Sequence, residues 1–482
     1  MQKEAAVLIP ERGRAKDEIL QTIKAYKQQD LPWGSGKVMA YVYDPGAEIS
    51  GAGREAYMMY LTENALDPTT YPSVMRIERE VVRMIINLLR GDENVVGNMT
   101  SGGTESILLA VKTARDWARA NRPEIRVPEM IVPRTAHAAF HKAAAYFDVK
   151  PVIVGFDTET FKADVDAMRR VVNKNSILLI ASAPGYAQGV IDPIEEIGAL
   201  AQEHGLLFHV DGCVGGIHLS FMRKMGCPLP NFDFSVPGVT SISTDMHKYG
   251  YAPKNASVIM CRGKELRKYQ IFSCCCTTTY ALINPTILST KSGGPMAASW
   301  ATLNFVGEEG YCKMVKAVMD ATRKLVDAIN AMGDIRVLGK PEISMFSIAS
   351  ETINVFQLAD EMHDRGWYLQ PQLSTDLSPA NLHITVNTSS VHLADALIED
   401  LRASLEAVKK SGVAIDPAVV KAQIEQMLGN LTPETLPQIL AVGGITGTKL
   451  PDHMALINTV LDSLPDPVAE ELLTGYINDL YQ

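Results

Sequence analysis

The chain has 482 residues, of which 46% are hydrophobic and 21% charged, a composition typical of a globular protein with two or three domains. Its net charge of −10, without a long run of basic residues, argues against a nucleic-acid partner. Charges interrupt the N-terminus where a signal peptide needs an apolar segment, and the apolar runs are far shorter than the roughly 18 residues of a membrane helix. We therefore expect a cytoplasmic protein without a transmembrane segment.

The seven cysteines include no Cys-x-x-Cys pair and are typical of reduced thiols in a reducing compartment. For the triplet Cys274-Cys275-Cys276, metal binding is the alternative interpretation. Because adjacent side chains diverge and no matched Cys/His pair lies nearby in the sequence, we expect no metal site there.

The first 60 residues are expected to form an N-terminal segment, with a helix near 16–29 and then a glycine-rich irregular stretch. Between about 90 and 260, short apolar runs alternate with amphipathic stretches. This pattern is typical of a mostly parallel sheet covered by helices on both faces. The predicted buried strands are 130–132, 152–154, 177–180, 206–210 and 256–260, and the predicted helices between them are 164–172 and 193–204.

After Gly293-Gly294-Pro295 the sequence changes to long helical patterns and then to short apolar runs. Helices are predicted over 298–306 and 311–332, strands around 335–338, 352–357 and 382–386, and further helices from 417 onward with Gly443-Gly444 as a break. We therefore predict an α/β protein. Its large, mostly parallel sheet domain covers 61–306, and a smaller α+β C-terminal domain covers 307–482.

A glycine-rich loop leads into a predicted helix at 99–106, Met-Thr-Ser-Gly-Gly-Thr-Glu-Ser. Glycines here let backbone N–H groups approach an anion at the positive end of the helix dipole, so we expect a bound phosphate. The spacing fits neither the dinucleotide motif nor the P-loop, which disfavours a mononucleotide. A capped helix after a flexible loop is the alternative.

Two further polar side chains follow predicted strands. Asp211 comes directly after 206–210, where a buried carboxylate needs a cation, and a protonated pyridine nitrogen is such a cation. A metal ligand and a helix cap are the alternatives. His137 follows 130–132 and could lie against an aromatic cofactor; a zinc pair with His141 is disfavoured because residues 138–140 supply no ligand.

Lys248 follows His247 in what the sequence indicates is a Ser/Thr-rich turn, 243–251. A lysine amine becomes nucleophilic when its pKa is lowered by burial or by a neighbouring cation, and such a lysine suits covalent attachment of pyridoxal phosphate. Taken alone, the same residues also suit a solvated surface patch.

Together these segments follow the order of fold-type I pyridoxal phosphate enzymes. Over most of residues 40–390 the chain resembles the pyridoxal-dependent decarboxylase family, and within it the sphingosine-1-phosphate lyase branch. The resemblance is carried by 99–106, 136–140, 209–211, 238–243 and 247–254, of which the last is specific to the lyase branch.

The resemblance implies the fold-type I transferase fold and pyridoxal 5'-phosphate as the cofactor. It assigns catalytic roles to Lys248, which holds the cofactor covalently, to His137, which stacks on the ring, and to Asp211 at the pyridine nitrogen. The other implied cofactor-binding residues are Gly103, Thr104 and His247 at the cofactor phosphate, and Thr290 in a loop that reaches the neighbouring subunit's cofactor. A homodimer with shared active sites follows by analogy.

The implied reaction is retro-aldol cleavage of a phosphorylated sphingoid base, which gives a long-chain aldehyde and phosphoethanolamine. Lys254, Tyr43 and Tyr186 match residues that lie near the substrate phosphate in the lyases. A surface lysine and half-buried structural tyrosines are the alternatives for these residues.

Departures from the family pattern leave the substrate open. Asp67 replaces a histidine near the substrate phosphate, Met246 stands where a threonine is usual, and segments 274–279 and 289–294 differ from the usual sequences. The alternative functions are therefore an amino acid decarboxylase of the glutamate or aromatic type, and a non-catalytic relative that acts as a binding protein.

Overall fold

The computed structural model describes residues 7–278, 280–411, 415–428 and 450–481. Its centre is a seven-stranded sheet in the order β1-β7-β6-β5-β4-β2-β3. The strands are β1 (Val95–Thr100), β2 (Glu129–Pro133), β3 (Lys150–Val154), β4 (Ser176–Ser182), β5 (Leu207–Asp211), β6 (Ser241–Asp245) and β7 (Ser257–Arg262). Strand β7 runs antiparallel to both of its neighbours, whereas the pairs from β6 to β3 are parallel.

Helices cover both faces of this sheet. Successive side chains of a strand point to opposite faces, so each buried strand supplies apolar residues to both layers of helices. The helices are α1 (Lys16–Tyr26), α2 (Ala47–Met59), α3 (Pro72–Leu88), α4 (Gly103–Asn121), α5 (Ala139–Phe147), α6 (Val165–Val171), α7 (Ile194–His204), α8 (Gly215–Lys224) and α9 (Lys264–Arg267), with short 3-10 helices at Lys27–Gln29 and Trp33–Ser35. Ile131 of β2 belongs to the apolar cluster of Ile197 in α7 and Ile217 in α8. Its neighbours Met130 and Val132 belong to the cluster that contains α4 and α5.

A hairpin of β8 (Phe272–Cys274) and β9 (Leu282–Asn284) leads through α10 (Gly293–Asn330) to a second, antiparallel sheet in the order β10-β11-β13-β12. Its strands are β10 (Arg336–Val337), β11 (Met345–Ala349), β12 (Gln370–Gln372) and β13 (Asn381–Thr385). The remaining helices are α11 (Val355–Asp364), a 3-10 helix (Val391–Leu393), α12 (Ala394–Lys410), α13 (Pro417–Leu428), α14 (Ala455–Ser463) and α15 (Asp466–Leu480). Asp360 of α11 holds the start of α14, since it accepts bonds from the N–H groups of Met454 and Ala455.

The long helix α10 is interrupted at Gly307, whose φ of 59° and ψ of 174° are not helical. Glycine adopts this φ without the steric cost that a Cβ would impose. The interruption lies where the sequence predicts that the domain over 61–306 passes into that over 307–482. These boundaries, like that of the segment 1–60, stay predictions.

Most predicted elements are confirmed, and the α/β prediction with them. The strands predicted over 130–132, 152–154, 177–180, 206–210 and 256–260 are β2, β3, β4, β5 and β7. The prediction of a strand over 352–357 is wrong, because this segment contains the start of α11. Asn354 caps the helix by accepting a bond from the N–H of Phe356 at 2.9 Å. The predicted break at Gly443-Gly444 lies outside the described residues.

The prediction of a Ser/Thr-rich turn over 243–251 is wrong at its start. Ser243, Thr244 and Asp245 are the last residues of strand β6, which is buried along its whole length. Its hydroxyls find partners inside the sheet, as when Ser241 pairs with His209 at 2.9 Å. A polar sequence can therefore form a central strand when each hydroxyl is hydrogen-bonded. Among the residues described, no helix is both long and apolar enough to cross a membrane.

Candidate active site

A cavity of about 600 Å³ opens where the parallel strands end. Five strands, β1, β2, β4, β5 and β6, each place a side chain or backbone group on its wall, from the last residue of the strand or from the segment that follows it. These groups belong to Gly103, His137, Tyr186, Asp211 and Lys248 in that order. Ligands in open α/β sheets bind beyond the carboxyl ends of the strands, which makes this cavity the candidate active site.

Nine of the ten residues that the sequence predicts for the site line this cavity: Tyr43, Gly103, Thr104, His137, Tyr186, Asp211, His247, Lys248 and Lys254. The tenth, Thr290, is exposed and does not line the cavity of its own chain. Its position next to a neighbouring subunit's cofactor stays a prediction.

The loop before α4 is shaped to hold an anion. Gly102 has a φ of 154° and a ψ of 171°, a conformation essentially restricted to glycine, and no side chain caps the first turn of the helix. A Cβ on Gly103 would lie 2.9 Å from both Asp245 Oδ2 and Cys213 Sγ. The glycine therefore brings the backbone close to these groups, while the N–H groups of the helix start are left for a bound anion.

Glu105 in the first turn of α4 connects this loop to a distant segment. It is buried, and its Oε2 accepts a bond from the N–H of Ser101 at 2.5 Å. Its Oε1 accepts bonds from the N–H groups of Ile287 and Leu288 at 2.7 and 3.1 Å. The anion loop and the chain that follows the β8–β9 hairpin are thus held by one carboxylate.

Lys248 is paired with a carboxylate that the sequence interpretation missed. Its Nζ lies 3.0 Å from Oδ2 of Asp245, whose side chain is only 1% exposed, and His247 Nε2 lies 3.6 Å from the same oxygen. Burial alone would lower the pKa of Lys248, but Asp245 raises it above its ordinary value. Burial would likewise raise the pKa of Asp245, and Lys248 and His247 lower it instead.

This ion pair corrects the expectation that burial or a neighbouring cation makes Lys248 nucleophilic. The amine is held as an ammonium ion and must lose a proton before it can attack a carbonyl. Loss of that proton also removes the charge attraction to the Asp245 carboxylate 3.0 Å away.

Asp211 and His137 are each fixed by a backbone hydrogen bond. Asp211 is 8% exposed, and its Oδ1 accepts a bond from the N–H of Cys213 at 3.0 Å. His137 Nδ1 accepts a bond from the N–H of Ala139 at 3.1 Å at the start of α5. The described residues contain no cluster of three or more His, Cys, Asp or Glu side chains with the geometry of a metal site.

On the opposite wall, side chains from the N-terminal segment and the second sheet complete the cavity. Lys254 Nζ donates to the carbonyl oxygen of Tyr41 at 3.0 Å and lies 5.3 Å from the ring centre of Tyr43. Burial, and secondly Lys248, lowers the pKa of Lys254. The Tyr186 hydroxyl donates to Gln370 Oε1 at 2.8 Å.

The sequence interpretation missed other residues that line the cavity, chiefly Tyr41, Cys213, Asp245 and Gln370. Asp245 ends β6 just as Asp211 ends β5, so recognition of β6 as a strand would have identified it. Gln370 belongs to the second sheet and reaches the cavity only through tertiary packing, which leaves no local signal.

The departures from the family pattern lie mostly away from the cavity. Asp67 is exposed, does not line the cavity and holds a turn, accepting bonds from the N–H and hydroxyl of Thr69 that lower its pKa. Met246 is buried in the core. Lys291 makes a buried ion pair with Glu78 at 2.6 Å. Within one chain, the Asp67 carboxylate therefore does not face a ligand bound in this cavity.

The residues of the cavity fit pyridoxal phosphate. The start of α4 suits its phosphate, Asp211 suits a protonated ring nitrogen, and Lys248 is the amine that its aldehyde requires. Asp245 Oδ1 is buried and has no hydrogen-bond partner among the described residues. Such an acceptor is costly unless a proton donor reaches it, so its presence on the wall is consistent with a polar ligand in the cavity.

Comparison with known proteins supports the same cofactor. Residues 9–349 match the pyridoxal-dependent decarboxylase conserved domain, and residues 402–479 match the C-terminal HTH domain of pyridoxal-dependent enzymes. The chain is 39% identical to the sphingosine-1-phosphate lyase of Arabidopsis thaliana, over 96% of this chain and 81% of that protein.

Solved structures agree with the family match. The sphingosine-1-phosphate lyase of Burkholderia pseudomallei has a TM-score of 0.81 and 34% identity, covering 89% of this chain and 97% of its own. A glutamate decarboxylase of Lactobacillus brevis, with a TM-score of 0.75 and 18% identity over 85% of this chain and 96% of its own, shares the fold. The predicted fold-type I architecture is thereby confirmed. The chain belongs to the pyridoxal-dependent decarboxylase family, in the group that includes the sphingosine-1-phosphate lyases, and its cofactor is pyridoxal 5'-phosphate.

Proposed function

We propose that the protein is a carbon–carbon lyase that cleaves a phosphorylated sphingoid base, with sphingosine 1-phosphate as the type substrate. The products are a long-chain aldehyde and phosphoethanolamine. Support comes from the similarity to proteins named sphingosine-1-phosphate lyase and from a second cation, Lys254, on the cavity wall.

In this proposal the chain positions the reacting groups around the cofactor. When bound, pyridoxal 5'-phosphate supplies an electron sink for the electron pair of the breaking C2–C3 bond. Asp211 would hold the ring nitrogen, and His137 would pack against the ring. Lys248 binds the cofactor and then carries a proton at Nζ: it takes the proton of the substrate's 3-hydroxyl and returns one to C2. The 3-hydroxyl oxygen leaves as the aldehyde carbonyl, so atoms and charges balance.

Lys254 is the single observation that carries the substrate assignment. Its side chain is exposed, but its amine is close to the Tyr43 ring and donates to the Tyr41 carbonyl, so it is held at the mouth of the cavity. A phosphate oxygen is a stronger acceptor for an ammonium group than a neutral carbonyl is. The phosphate of the substrate would therefore bind beside Lys254 and the hydroxyl of Tyr43, whose pKa is raised to about 12 by burial and which stays protonated.

An amino acid decarboxylase is the second candidate, since it would use the same cofactor and the same Lys248. It requires a cation for the substrate's α-carboxylate, and the described residues on the cavity wall include no arginine. The basic side chains on that wall are Lys248, Lys254, His137 and His247, three of which already serve the cofactor in this proposal. Lys254 is left for one anionic group, which favours the phosphate.

A paired product assay with Lys254 variants tests this assignment. We expect aldehyde release from sphingosine 1-phosphate, with kcat/KM reduced roughly 10- to 150-fold in Lys254→Ala because a hydrogen bond to a charged group is lost. Lys254→Arg should retain part of the activity, and Lys174→Ala, a change at an exposed lysine far from the cavity, should retain all of it. Carbon dioxide from an amino acid without aldehyde from the phospholipid would establish the decarboxylase instead. Failure to take up pyridoxal phosphate would favour a binding protein.

The proposal includes a homodimer in the cytoplasm. The hairpin region exposes large apolar side chains, namely Phe272, Tyr280, Ile283, Ile287 and Leu288, which a second subunit would cover. Thr290 is exposed beside them and would reach the neighbouring active site. All seven cysteines are free thiols, which suits a reducing compartment, and the net charge of −10 gives no support to a nucleic-acid partner.

A further inference from the structure

A buried chain of hydrogen bonds leads from the interior of the sheet to Asp211. His209, two residues earlier in β5, has no exposed surface. Its Nδ1 lies 2.9 Å from Ser241 Oγ and its Nε2 lies 3.2 Å from Ser243 Oγ. The Ser243 hydroxyl is directed at Asp211 Oδ1 across 3.5 Å, a long hydrogen bond. Strands β5 and β6 pair in a register that sets Asp211 opposite Ser243 and His209 opposite Ser241.

One arrangement of protons satisfies this chain when Asp211 is ionised. A carboxylate only accepts, so Ser243 must donate to Asp211, and the Ser243 oxygen must accept from His209 Nε2–H. A neutral imidazole with its proton on Nε2 accepts at Nδ1, so Ser241 donates there. The hydrogen bonds in this series therefore all run in one direction, with each hydroxyl or ring N–H donating toward Asp211.

The surroundings of His209 keep it neutral. Burial lowers the pKa of His209 to about 4, with a smaller opposite effect from Asp211. Its ring and that of Phe140 pack edge to face, with 6.0 Å between ring centres and 63° between ring planes. Cys213 donates its S–H to Ser243 Oγ at 3.3 Å, and burial raises the pKa of this thiol, so Cys213 also stays uncharged.

We propose that Ser243 and His209 are positioning residues that act through Asp211, delivering an O–H donor to its carboxylate so that the ring nitrogen of pyridoxal phosphate stays protonated. The inference rests on the proposed role of Asp211. Hydrogen bonds to the ionised form of a carboxylate make it a weaker base. A weaker base leaves the shared proton on the ring nitrogen, and a protonated ring is the stronger electron sink.

Loss of the Ser243 hydroxyl should move the proton toward Asp211. In Ser243→Ala we expect the nitrogen-15 chemical shift of the ring nitrogen, in holoenzyme loaded with labelled cofactor, to move toward that of neutral pyridine. Cofactor affinity should fall roughly three- to tenfold, the usual effect of one modest hydrogen bond. His209→Phe should give a smaller change in the same direction, since Ser243 retains its own proton.

Two further variants separate this effect from a merely structural one. Ser243→Thr keeps a hydroxyl and should restore the chemical shift. Ser220→Ala is a matched control, because Ser220 is fully buried and donates to Gly216 O outside the chain of bonds. It should leave the chemical shift unchanged, as should any variant whose only effect is a lower melting temperature of the cofactor-free protein.

The outcomes distinguish the inference from the assignment on which it rests. An unchanged ring-nitrogen shift in Asp211→Asn would refute the role of Asp211 itself. A shift that moves in Asp211→Asn but not in Ser243→Ala would refute only the positioning role of Ser243 and His209. The inference also fails if Ser243→Thr behaves like Ser243→Ala, or if Ser220→Ala moves the shift equally.

Discussion

The substitution Asp245→Asn should destabilise the cofactor-free protein strongly, because it leaves the Lys248 ammonium partly buried without its counterion. The two groups are 3.0 Å apart, with side-chain exposures of 1% for Asp245 and 20% for Lys248. At an effective dielectric constant of about 20 their Coulomb attraction is roughly 5 kcal/mol. Removal of one partner of a buried pair usually costs about 3–5 kcal/mol, and we expect that loss in the free energy of unfolding.

A double-mutant cycle in denaturant measures this pair. Lys248→Met alone leaves a buried carboxylate and should also destabilise, whereas the double variant with Asp245→Asn should be less destabilised than the sum by about 2–3 kcal/mol. Additive effects of the two substitutions would refute the ion pair as an energetic unit.

The pH dependence gives a second check on Asp245 and Lys248. The folded pKa of Asp245 is lowered, so its contribution is present above its unfolded pKa near 4 and is lost as the pH falls through the folded value. The folded pKa of Lys248 is raised, so its contribution is present below the unfolded pKa near 10.4 and is lost as the pH rises through the folded value. The difference in the free energy of unfolding between wild type and Asp245→Asn should therefore be greatest between about pH 4 and 10. The same difference at pH 3 and pH 7 would contradict this account.

Two further predictions concern the anion loop and the ion pair behind it. Gly103→Ala places a Cβ 2.9 Å from Asp245 Oδ2, so cofactor affinity should fall at least tenfold in an absorbance titration, while Gly51→Ala, with open space around its Cβ, should leave it unchanged. Lys291→Met leaves Glu78 buried without its counterion and should lower the free energy of unfolding by about 3–5 kcal/mol. Addition of Glu78→Gln should restore part of this stability. If the double variant is no more stable than Lys291→Met, the ion pair with Glu78 is not the cause of the loss.

Apolar strands and strand-end residues were predictable because their signals are local. The run at β4 is apolar on both faces, as is typical of a parallel strand buried under helices, and β5 interrupts its apolar run only with His209 before it ends at Asp211. Position alone then indicated Asp211 and His137 as candidates for the site. The location of most site residues follows from the rule that ligands bind at the carboxyl ends of such strands, and this rule holds for proteins with different chemistries.

Strand β6 was missed because its sequence, Ser241 to Asp245, is polar, although all five residues are buried. Its hydroxyls are satisfied by groups on other segments: Ser241 pairs with His209 of β5, and Thr244 donates to the carbonyl oxygen of Gly212 after β5. A single sequence does not reveal such partners. Failure to recognise the strand also hid Asp245, the closest charged partner of Lys248.

Glu105 makes two regions of the chain thermodynamically linked. Because its carboxylate holds both the loop at Ser101 and the backbone at Ile287 and Leu288, order in one region favours order in the other. Coupling of this kind is reciprocal: an anion that fixes the loop stabilises the hairpin side, and a subunit that covers the hairpin side tightens anion binding by the same factor. If the proposed homodimer covers the hairpin side, cofactor retention would depend on protein concentration, and dilution that separates the subunits would weaken the binding of pyridoxal phosphate.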